Sequence, residues 1–260
     1  DNIIRYAQPH TFALRRPSWD VRPDRDIESY KLSFFRNPGN ALGKFACQPS
    51  NLEDGFFKNH VMVDNSFKNQ NGVDNETGTV FIKPKRGVKY YLHVDLAQKH
   101  DYCAVAMSHV EKWVDLEIAD PTGEPYPYIV IDLVRYWKPT KDKTVDFKEV
   151  RNFIVHLKRM GFDIEVCTFD RWNSLDTMKY LTEEHGIETE TLSVALQHYQ
   201  DFQTVMYDGR LEGPMVPDLD PTKDGRDLLK KELKELRIVK NKIDHPRSGY
   251  KDLSDASCGA

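Results

Sequence analysis

Apolar runs of strand length and amphipathic helical segments follow one another from residue 87 onward, and this order constrains the fold more than any other feature of the sequence. Three strand-like runs come first, and helical and strand patterns alternate after them. The expected strands are residues 88–96, 102–109, 128–137, 164–169, 187–192 and 237–243. The expected helices are residues 146–160, 174–185, 195–207, 224–236 and a last one from Asp252. Adjacent strands followed by alternating helices and strands predict a mixed sheet in an α/β domain.

Residues 1–86 do not share this regularity. They contain the stretches RNPGN, CQPSN and DNSFKNQNGVDNETG, and such compositions are typical of turns and loops. Two short apolar patches, residues 30–35 and 41–45, have the length of helical turns but do not make an independent core. We therefore expect a loop-rich N-terminal extension over residues 1–86 and the α/β domain over residues 87–260, with its last helix cut short at the end of the chain.

Two of the expected helices carry recognisable end signals. Asp146 and Glu149 make a capping pair at the start of the first. Asn173 or Ser174 is expected to cap the second, which Gly186 is expected to end. The fourth strand lies between these two helices, so its carboxyl end leads directly into the second.

Composition narrows the class of protein. Hydrophobic residues make up 39% and charged residues 30% of the chain, which suits a globular protein, and no apolar run approaches the roughly 20 residues of a membrane span. The four cysteines lack the spacing of a zinc site or a disulfide framework. We therefore expect a reducing cytoplasm and no membrane partner. The net charge of -4 neither requires nor excludes nucleic acid, because a local basic patch can bind DNA.

Four aspartates stand at the ends of these elements. Asp95 ends the first strand, Asp170 directly follows the fourth, and Asp252 and Asp255 open the last helix one turn apart. The carboxyl ends of neighbouring strands meet at one crevice of an α/β sheet, so these side chains can come together. Clustered carboxylates repel one another unless a cation neutralises them, and hard oxygen ligands select Mg²⁺ or Mn²⁺. Two such ions can activate water and stabilise the leaving oxygen of a phosphodiester.

Each of these residues also has a structural interpretation. An aspartate after a strand is commonly a turn former or a helix N-cap, and Asp252 could simply cap the last helix. Asp101 is expected to be a turn residue. His93 shares a strand face with Asp95 and could contact the site from behind. Trp172 could contact DNA, although packing is the commoner role of such a residue.

Basic residues concentrate near the C-terminal end of the chain. The window from residue 223 to residue 242 holds eight Lys or Arg against four Asp or Glu. Lys230, Lys231 and Lys234 are the candidates for contact with DNA phosphates, and a solvated helix face is the alternative. The polar insert 111–127 could form an extended hairpin arm or a plain surface hairpin.

Three segments together carry a resemblance to a known family. VDLAQKHDYCAVAM, FDRWNS and DHPRSGYKDLSDA resemble, in this order, the nuclease domain of the large terminase subunit of tailed bacteriophages. That family is similar in fold to ribonuclease H and the retroviral integrases. The resemblance covers residues 87–260 and implies an RNase H-like mixed central sheet flanked by helices. The stretch YKLSFFRNPGNALGKFACQPSNLEDGFF resembles the end of the terminase ATPase domain and its link to the nuclease.

The resemblance implies a metal-dependent endonuclease that cuts concatemeric double-stranded phage DNA during genome packaging. By position, Asp95, Asp170, Asp252 and Asp255 would hold two Mg²⁺ or Mn²⁺ ions. We expect Asp255 to be a direct ligand, because one turn into the helix it has no competing duty as a cap and needs a polar partner, and Asp252 to be a second ligand or a water-mediated one. The implied partners are DNA, the portal protein, the small terminase subunit and the ATPase domain of the same full-length polypeptide. The implied location is the host cytoplasm, at the procapsid portal.

One departure from the family limits what this chain can do. The large terminase subunits carry a P-loop motor, and the sequence contains no G-x-x-x-x-G-K-[ST] motif, so we expect no ATPase activity from this chain alone. Two alternatives stay open. The first is another DNA enzyme on the same fold, of the resolvase or transposase type. The second is a non-catalytic module that docks on the packaging motor.

Overall fold

The structure is a computed structural model of the chain. It describes residues 3–4, 13–14, 16–36, 38–47, 55–96, 102–115, 124–139, 144–170, 174–220, 222, 225–240, 242–246 and 249–260. The strands are β1 (Ile3–Ile4), β2 (Ala13–Leu14), β3 (Phe67–Asn69), β4 (Lys89–Asp95), β5 (Cys103–Val114), β6 (Tyr126–Trp137), β7 (Asp163–Phe169), β8 (Thr189–Thr191), β9 (Leu211–Pro214), β10 (Arg237–Val239) and β11 (Lys242–Asp244). The helices are α1 (Ser18–Val21), α2 (Lys31–Arg36), α3 (Pro38–Lys44), α4 (His60–Ser66), α5 (Phe147–Arg159), α6 (Leu175–His185), α7 (Leu196–Tyr207), α8 (Leu228–Glu235) and α9 (Asp252–Gly259), with a 3₁₀ turn at Glu28–Tyr30.

A mixed sheet forms the centre of the described structure. Its seven strands lie in the order β3-β9-β6-β5-β4-β7-β8. β5 runs antiparallel to β4 and β6, and every other pairing in this sheet is parallel. The carboxyl ends of β4 and β7 therefore lie side by side at one edge, as the strand pattern predicts.

Two strands of this sheet are absent from the sequence-based expectation. β3 and β9 are three and four residues long, too short for a period of two to stand out. A Cβ at Gly213 would lie 2.6 Å from the Phe67 ring, so glycine allows the two strands to approach closely. The expected strand 237–243 is also wrong in form. Its residues make a separate hairpin of β10 and β11, which turns at Lys240 (φ 49°) and stays outside the central sheet.

The insert 111–127 continues the second and third strands instead of separating them. β5 runs on to Val114 and β6 begins at its partner Tyr126, while the tip of the insert lies outside the described residues. Polar residues are tolerated here because one face of an antiparallel hairpin can meet water. Ala104 on β5 is the partner of Asp95, and Val114 lies ten residues beyond it on the same strand. Ten residues of a strand span roughly 33 Å. The hairpin therefore emerges at the sheet edge opposite Asp95.

Most helix expectations are confirmed, with corrections at the ends. Asp146 caps α5 by accepting a hydrogen bond from the Lys148 N–H (2.9 Å). Gly186 ends α6 in the left-handed conformation (φ 58°). Ser174 stands at the N-cap position of α6 but makes no side-chain cap bond, and the alternative cap, Asn173, lies outside the described residues. The expected helix 224–236 begins only with α8 at Leu228, because the Asp227 side chain caps it there by accepting a hydrogen bond from the Lys230 N–H (3.0 Å).

Helices cover both faces of the sheet. The apolar residues of α5 and α6 pack with one set of strand residues, which includes Tyr90, Leu92 and Val94 of β4. α4, α7, α8 and α9 pack with the other set. Because side chains alternate along a strand, His93 and Asp95 project toward the second face, where α9 contacts β4. No helix in the described part of the chain combines the length and hydropathy that a bilayer span requires.

Part of the N-terminal extension belongs to this core. Phe57, Val63 and Phe67 are fully buried in the cluster beneath α7, α8 and α9. β3 is an edge strand of the central sheet. The division at residue 86 stays a prediction, and one strand of the sheet lies before it.

Candidate active site at the carboxyl edge of the sheet

Strand pairing sets the first two carboxylates beside each other. In the parallel pair β4–β7, Val94 lies opposite Phe169, so Asp95 and Asp170 are the next residues of two neighbouring strands. Both stand at the carboxyl edge of the sheet. The sequence pattern predicts this arrangement directly, because each aspartate follows an apolar strand.

Helix α9 brings the other two carboxylates to the same edge. It begins at Asp252 and packs across β4 and β5 on the face that carries Asp95. Asp252 Oδ2 accepts a hydrogen bond from the backbone N–H of Tyr102, the residue just before β5 (2.9 Å). One turn later, Asp255 is buried on the same helix. The structure thus places all four predicted aspartates at one edge of the sheet, where the charges of the other three act on Asp95.

The electrostatics of Asp95 reflect this assembly. Burial raises the pKa of Asp95 well above its usual range, and the charges of Asp252, Asp255 and Asp170 raise it further. The ammonium of Lys251 acts in the opposite direction. Four carboxylates around one partly enclosed edge repel one another, and the folded protein holds Asp95 more readily in the neutral form.

Asp255 contacts two side chains through its carboxylate. Its Oδ1 accepts a hydrogen bond from the hydroxyl of buried Tyr199 on α7 (2.7 Å). Its Oδ2 contacts the ammonium of Lys251, four residues earlier. Both partners are side chains, so Asp255 does not cap a helix in the described structure, and it has the polar contacts that its buried position on a packed helix predicts. Burial raises the pKa of Asp255, and Lys251 partly offsets that effect.

The start of α9 is capped by a residue that the sequence analysis missed. Glu232, buried on α8, accepts a hydrogen bond at Oε2 from the backbone N–H of Ser254 (2.9 Å). Burial raises the pKa of Glu232 well above its usual range, and the charge of Asp252 adds to the effect. The signal for this residue was its place beside Leu229 and Leu233 on the apolar face of the helix. Because Glu232 is acidic and stands among lysines, the sequence pattern assigns it to the solvent-exposed face of the helix.

Asp170 and His93 form the other side of the site. The Ser193 hydroxyl donates a hydrogen bond to Asp170 Oδ1 (2.6 Å). His93 Nδ1 lies 2.7 Å from Thr168 Oγ1. Burial lowers the pKa of His93 to about 4, while the charge of Asp170 acts in the opposite direction, so His93 is neutral at pH 7. His93 thus lies behind Asp95, as its position on the strand predicts.

The donor chemistry of the site fits a hard divalent cation, but the side chains are not arranged as a ready ligand set. Among the residues that the structure describes, no three His, Cys, Asp or Glu side chains are grouped closely enough to hold an ion. In the same region, Lys251 lies against Asp255. The carboxylates around Asp95, which Lys251 neutralises only in part, are the feature that fits Mg²⁺ or Mn²⁺.

The three candidate DNA-contact lysines lie on α8 and are partly buried. Lys230 pairs with Asp227 at 3.6 Å, Lys231 with Glu235 at 3.8 Å, and Lys234 with Asp64 at 2.6 Å. Their side chains are 16%, 30% and 28% exposed, so the face is neither bare nor free of counter-charges. Trp172 and Asp101 lie outside the described residues.

Several solved structures are similar to this chain. The large terminase of bacteriophage HK97 is similar at 13% identity with a TM-score of 0.50, over 89% of this chain and 47% of that one, so this chain spans about half its length. The large terminase nuclease domain of Thermus phage P74-26 is similar at 13% identity with a TM-score of 0.51, over 77% of this chain and 92% of that one. The large terminase nuclease of thermophilic phage G20c, solved with bound magnesium, is similar at 14% identity with a TM-score of 0.49, over 80% and 96%.

The comparisons of sequence alone give no match. No protein-family model matches the chain, and no curated protein matches it. The similarity thus lies in the order and packing of the elements. On this basis the chain has the fold of phage large terminase nuclease domains, an RNase H-like mixed sheet flanked by helices.

Proposed function

We propose that this chain is a metal-dependent endonuclease that cuts concatemeric double-stranded phage DNA during genome packaging. The observation that carries the proposal is the placement of Asp95, Asp170, Asp252 and Asp255 at one sheet edge by the pair β4–β7 and by helix α9. Burial raises the pKa of Asp95 there, and the charges of the other three raise it further. The similarity in fold to large terminase nucleases supports the same reaction class.

Each aspartate has a distinct role in this proposal. Asp95 and Asp170, on two paired strands, form the rigid base of a ligand set for Mg²⁺ or Mn²⁺. Asp255 is the third direct ligand. Asp252 is a further ligand, which binds the metal either directly or through a water molecule. These carboxylates would hold two divalent ions, which would supply there an activated water and stabilisation of the leaving oxygen of the phosphodiester. Tyr199 orients Asp255 through its hydroxyl (2.7 Å).

The wider setting follows from the same proposal. The DNA is held in part by Lys230, Lys231 and Lys234, whose partial exposure leaves their ammonium groups able to exchange carboxylate partners for phosphates. The portal protein, the small terminase subunit and the ATPase domain of a full-length polypeptide are its partners, at the procapsid in the host cytoplasm.

A plasmid-nicking assay with Mg²⁺ or Mn²⁺ tests the activity. We expect the parent chain to cut without strong sequence preference, and Asp95→Asn and Asp170→Asn to lose more than about 100-fold, because even indirect ligand partners contribute 10–100-fold. The matched control is Asp163→Asn, which removes an exposed carboxylate at the other end of β7 and should leave cutting unchanged.

Two outcomes would contradict the proposal. Cutting by Asp170→Asn at the parental rate would show that the acidic edge is not the catalytic site. A parent chain that never cuts, with either ion, would favour a non-catalytic docking module. The contact of Lys251 with Asp255 is the observation that favours this second candidate, because the ammonium occupies a carboxylate oxygen that a metal ion would need.

A further inference from the structure

Lys251 is a cation built into the acidic edge. Its ammonium contacts Asp255 Oδ2, and its side chain is 32% exposed where that of Asp255 is 11% exposed. Its backbone carbonyl accepts hydrogen bonds from the Asp255 N–H (2.7 Å) and the Ser254 hydroxyl (2.8 Å). The backbone of Lys251 is therefore fixed at the start of α9, while its side chain ends near solvent.

The charge of Lys251 acts on more than one carboxylate. It lowers the pKa of Asp255 and also that of Asp95, in both cases against the stronger effect of burial. The acidic edge therefore contains a partial counter-charge even with no metal bound. This explains how a fold can hold these carboxylates together without an ion.

We propose that Lys251 is an exchangeable counter-ion, which neutralises Asp255 when no metal is bound and leaves Asp255 when a divalent cation binds there. The proposal rests on the proposed function, because it concerns the same acidic site. It adds that metal binding includes a competition with a side chain of the protein itself.

The geometry sets the two cations in competition at Asp255. Tyr199 already engages Oδ1, and Lys251 contacts the other oxygen. A divalent ion at Oδ2 would stand beside the ammonium, where like charges repel in a partly buried site. Departure requires no change in the fold, since a lysine stem has four flexible carbons and this one is already partly exposed.

Mn²⁺ binding, measured by calorimetry at fixed pH without DNA, tests the competition. Lys251→Met keeps the length of the side chain and removes its charge, so we expect it to bind Mn²⁺ about tenfold more tightly than the parent. Lys251→Arg keeps the charge and should bind within about twofold of the parent. Equal Mn²⁺ affinity in the parent and Lys251→Met would overturn the proposal, whatever the nicking assay shows.

A double-mutant cycle in chelator tests the counter-ion role without metal. Lys251→Met should lower the unfolding midpoint more in the parent background than in Asp255→Asn, because the charge that Lys251 contacts directly is then gone and only its weaker effects on Asp95 and Asp252 remain. Lys179→Met is the matched control, since Lys179 pairs with Glu183 at the same spacing on an exposed helix surface (3.9 Å) and should contribute little.

The two parts of the test separate the two proposals. If neither the parent nor Lys251→Met binds Mn²⁺, the metal-dependent function fails and the exchange fails with it. If both bind and the parent cuts DNA, but the cycle shows no coupling between Lys251 and Asp255, the exchange alone is refuted.

Discussion

Glu232 shows how one buried side chain can fix the start of helix α9. Its Oε2 satisfies the Ser254 N–H, one of the free donors at the start of α9, and its Oε1 has no partner among the described residues. The burial that raises its pKa means that ionisation opposes folding. Glu232 thus stabilises α9 as an acceptor and not as a charge.

This assignment predicts different outcomes for two substitutions at Glu232. Glu232→Gln keeps an oxygen acceptor and should unfold at a urea concentration equal to or above that of the parent at pH 7. Glu232→Leu removes the acceptor and leaves a buried N–H unsatisfied, which should cost about 1–3 kcal/mol of unfolding free energy. Urea unfolding of the two proteins, side by side, measures the difference.

The pH dependence of the free energy of unfolding is a second test of the role of Glu232. A carboxyl group whose folded pKa is raised binds its proton more tightly when folded, so stability falls as pH rises from its usual pKa, about 4.5, toward the folded value. Glu232→Gln should flatten this fall in chelator. An unchanged slope, together with a stable Glu232→Leu, would show that the carboxyl group is not the cap of α9.

At the scale of elements, the sequence predicts what lies along the chain better than what meets across it. Asp95 and Asp170 are predictable because each follows an apolar strand, and parallel strands place their ends together. Glu232 and Tyr199 are not, because their partners lie 22 and 56 residues away and only packing brings them close. Lys251 is an intermediate case. Its spacing from Asp255 was visible, but the burial that gives the pair its importance was not.

The packing of α9 on β4 depends on a second feature that no periodicity shows. Gly259, the last residue of α9, passes directly over the ring of His93, and a Cβ there would lie 2.5 Å from His93 Cδ2. The ring cannot move away easily, because His93 is buried and hydrogen-bonded to the Thr168 hydroxyl. The glycine thus sets how closely α9, with Asp252 and Asp255, approaches the sheet.

Gly259→Ala should therefore destabilise the protein, although alanine is the better helix former. We expect a loss of about 1–3 kcal/mol in unfolding free energy, the usual cost of overpacking a core, and a fall in nicking as α9 shifts. The control is Gly209→Ala, where φ is +69° and no atom lies near the added Cβ, so only the backbone cost applies. A Gly259→Ala protein as stable and active as the parent would show that α9 tolerates a wider separation from β4.

For the whole molecule, the segment before residue 86 is joined to the sheet by hydrogen bonds as well as by apolar contacts. The Asn71 side chain exchanges two hydrogen bonds with the backbone of Val134, at 2.8 and 3.0 Å, and so acts as a short substitute strand beside β6. The Gly72 N–H donates to the carbonyl of Asp132 (3.1 Å). The sequence does not predict these hydrogen bonds, because asparagine and glycine are typical of turns and the segment therefore resembles a loop.

A truncation series tests how much of the fold depends on that segment. A chain of residues 87–260 lacks β3 and the buried side chains of Phe57, Val63 and Phe67. Burial of each is worth about 1.5–3 kcal/mol, so their loss is comparable to the 5–15 kcal/mol that stabilises a typical domain. We expect residues 87–260 to unfold without a cooperative transition in near-UV circular dichroism, whereas residues 55–260 should melt cooperatively. Equal melting temperatures would instead show that residue 86 is the true domain boundary and that β3 is dispensable.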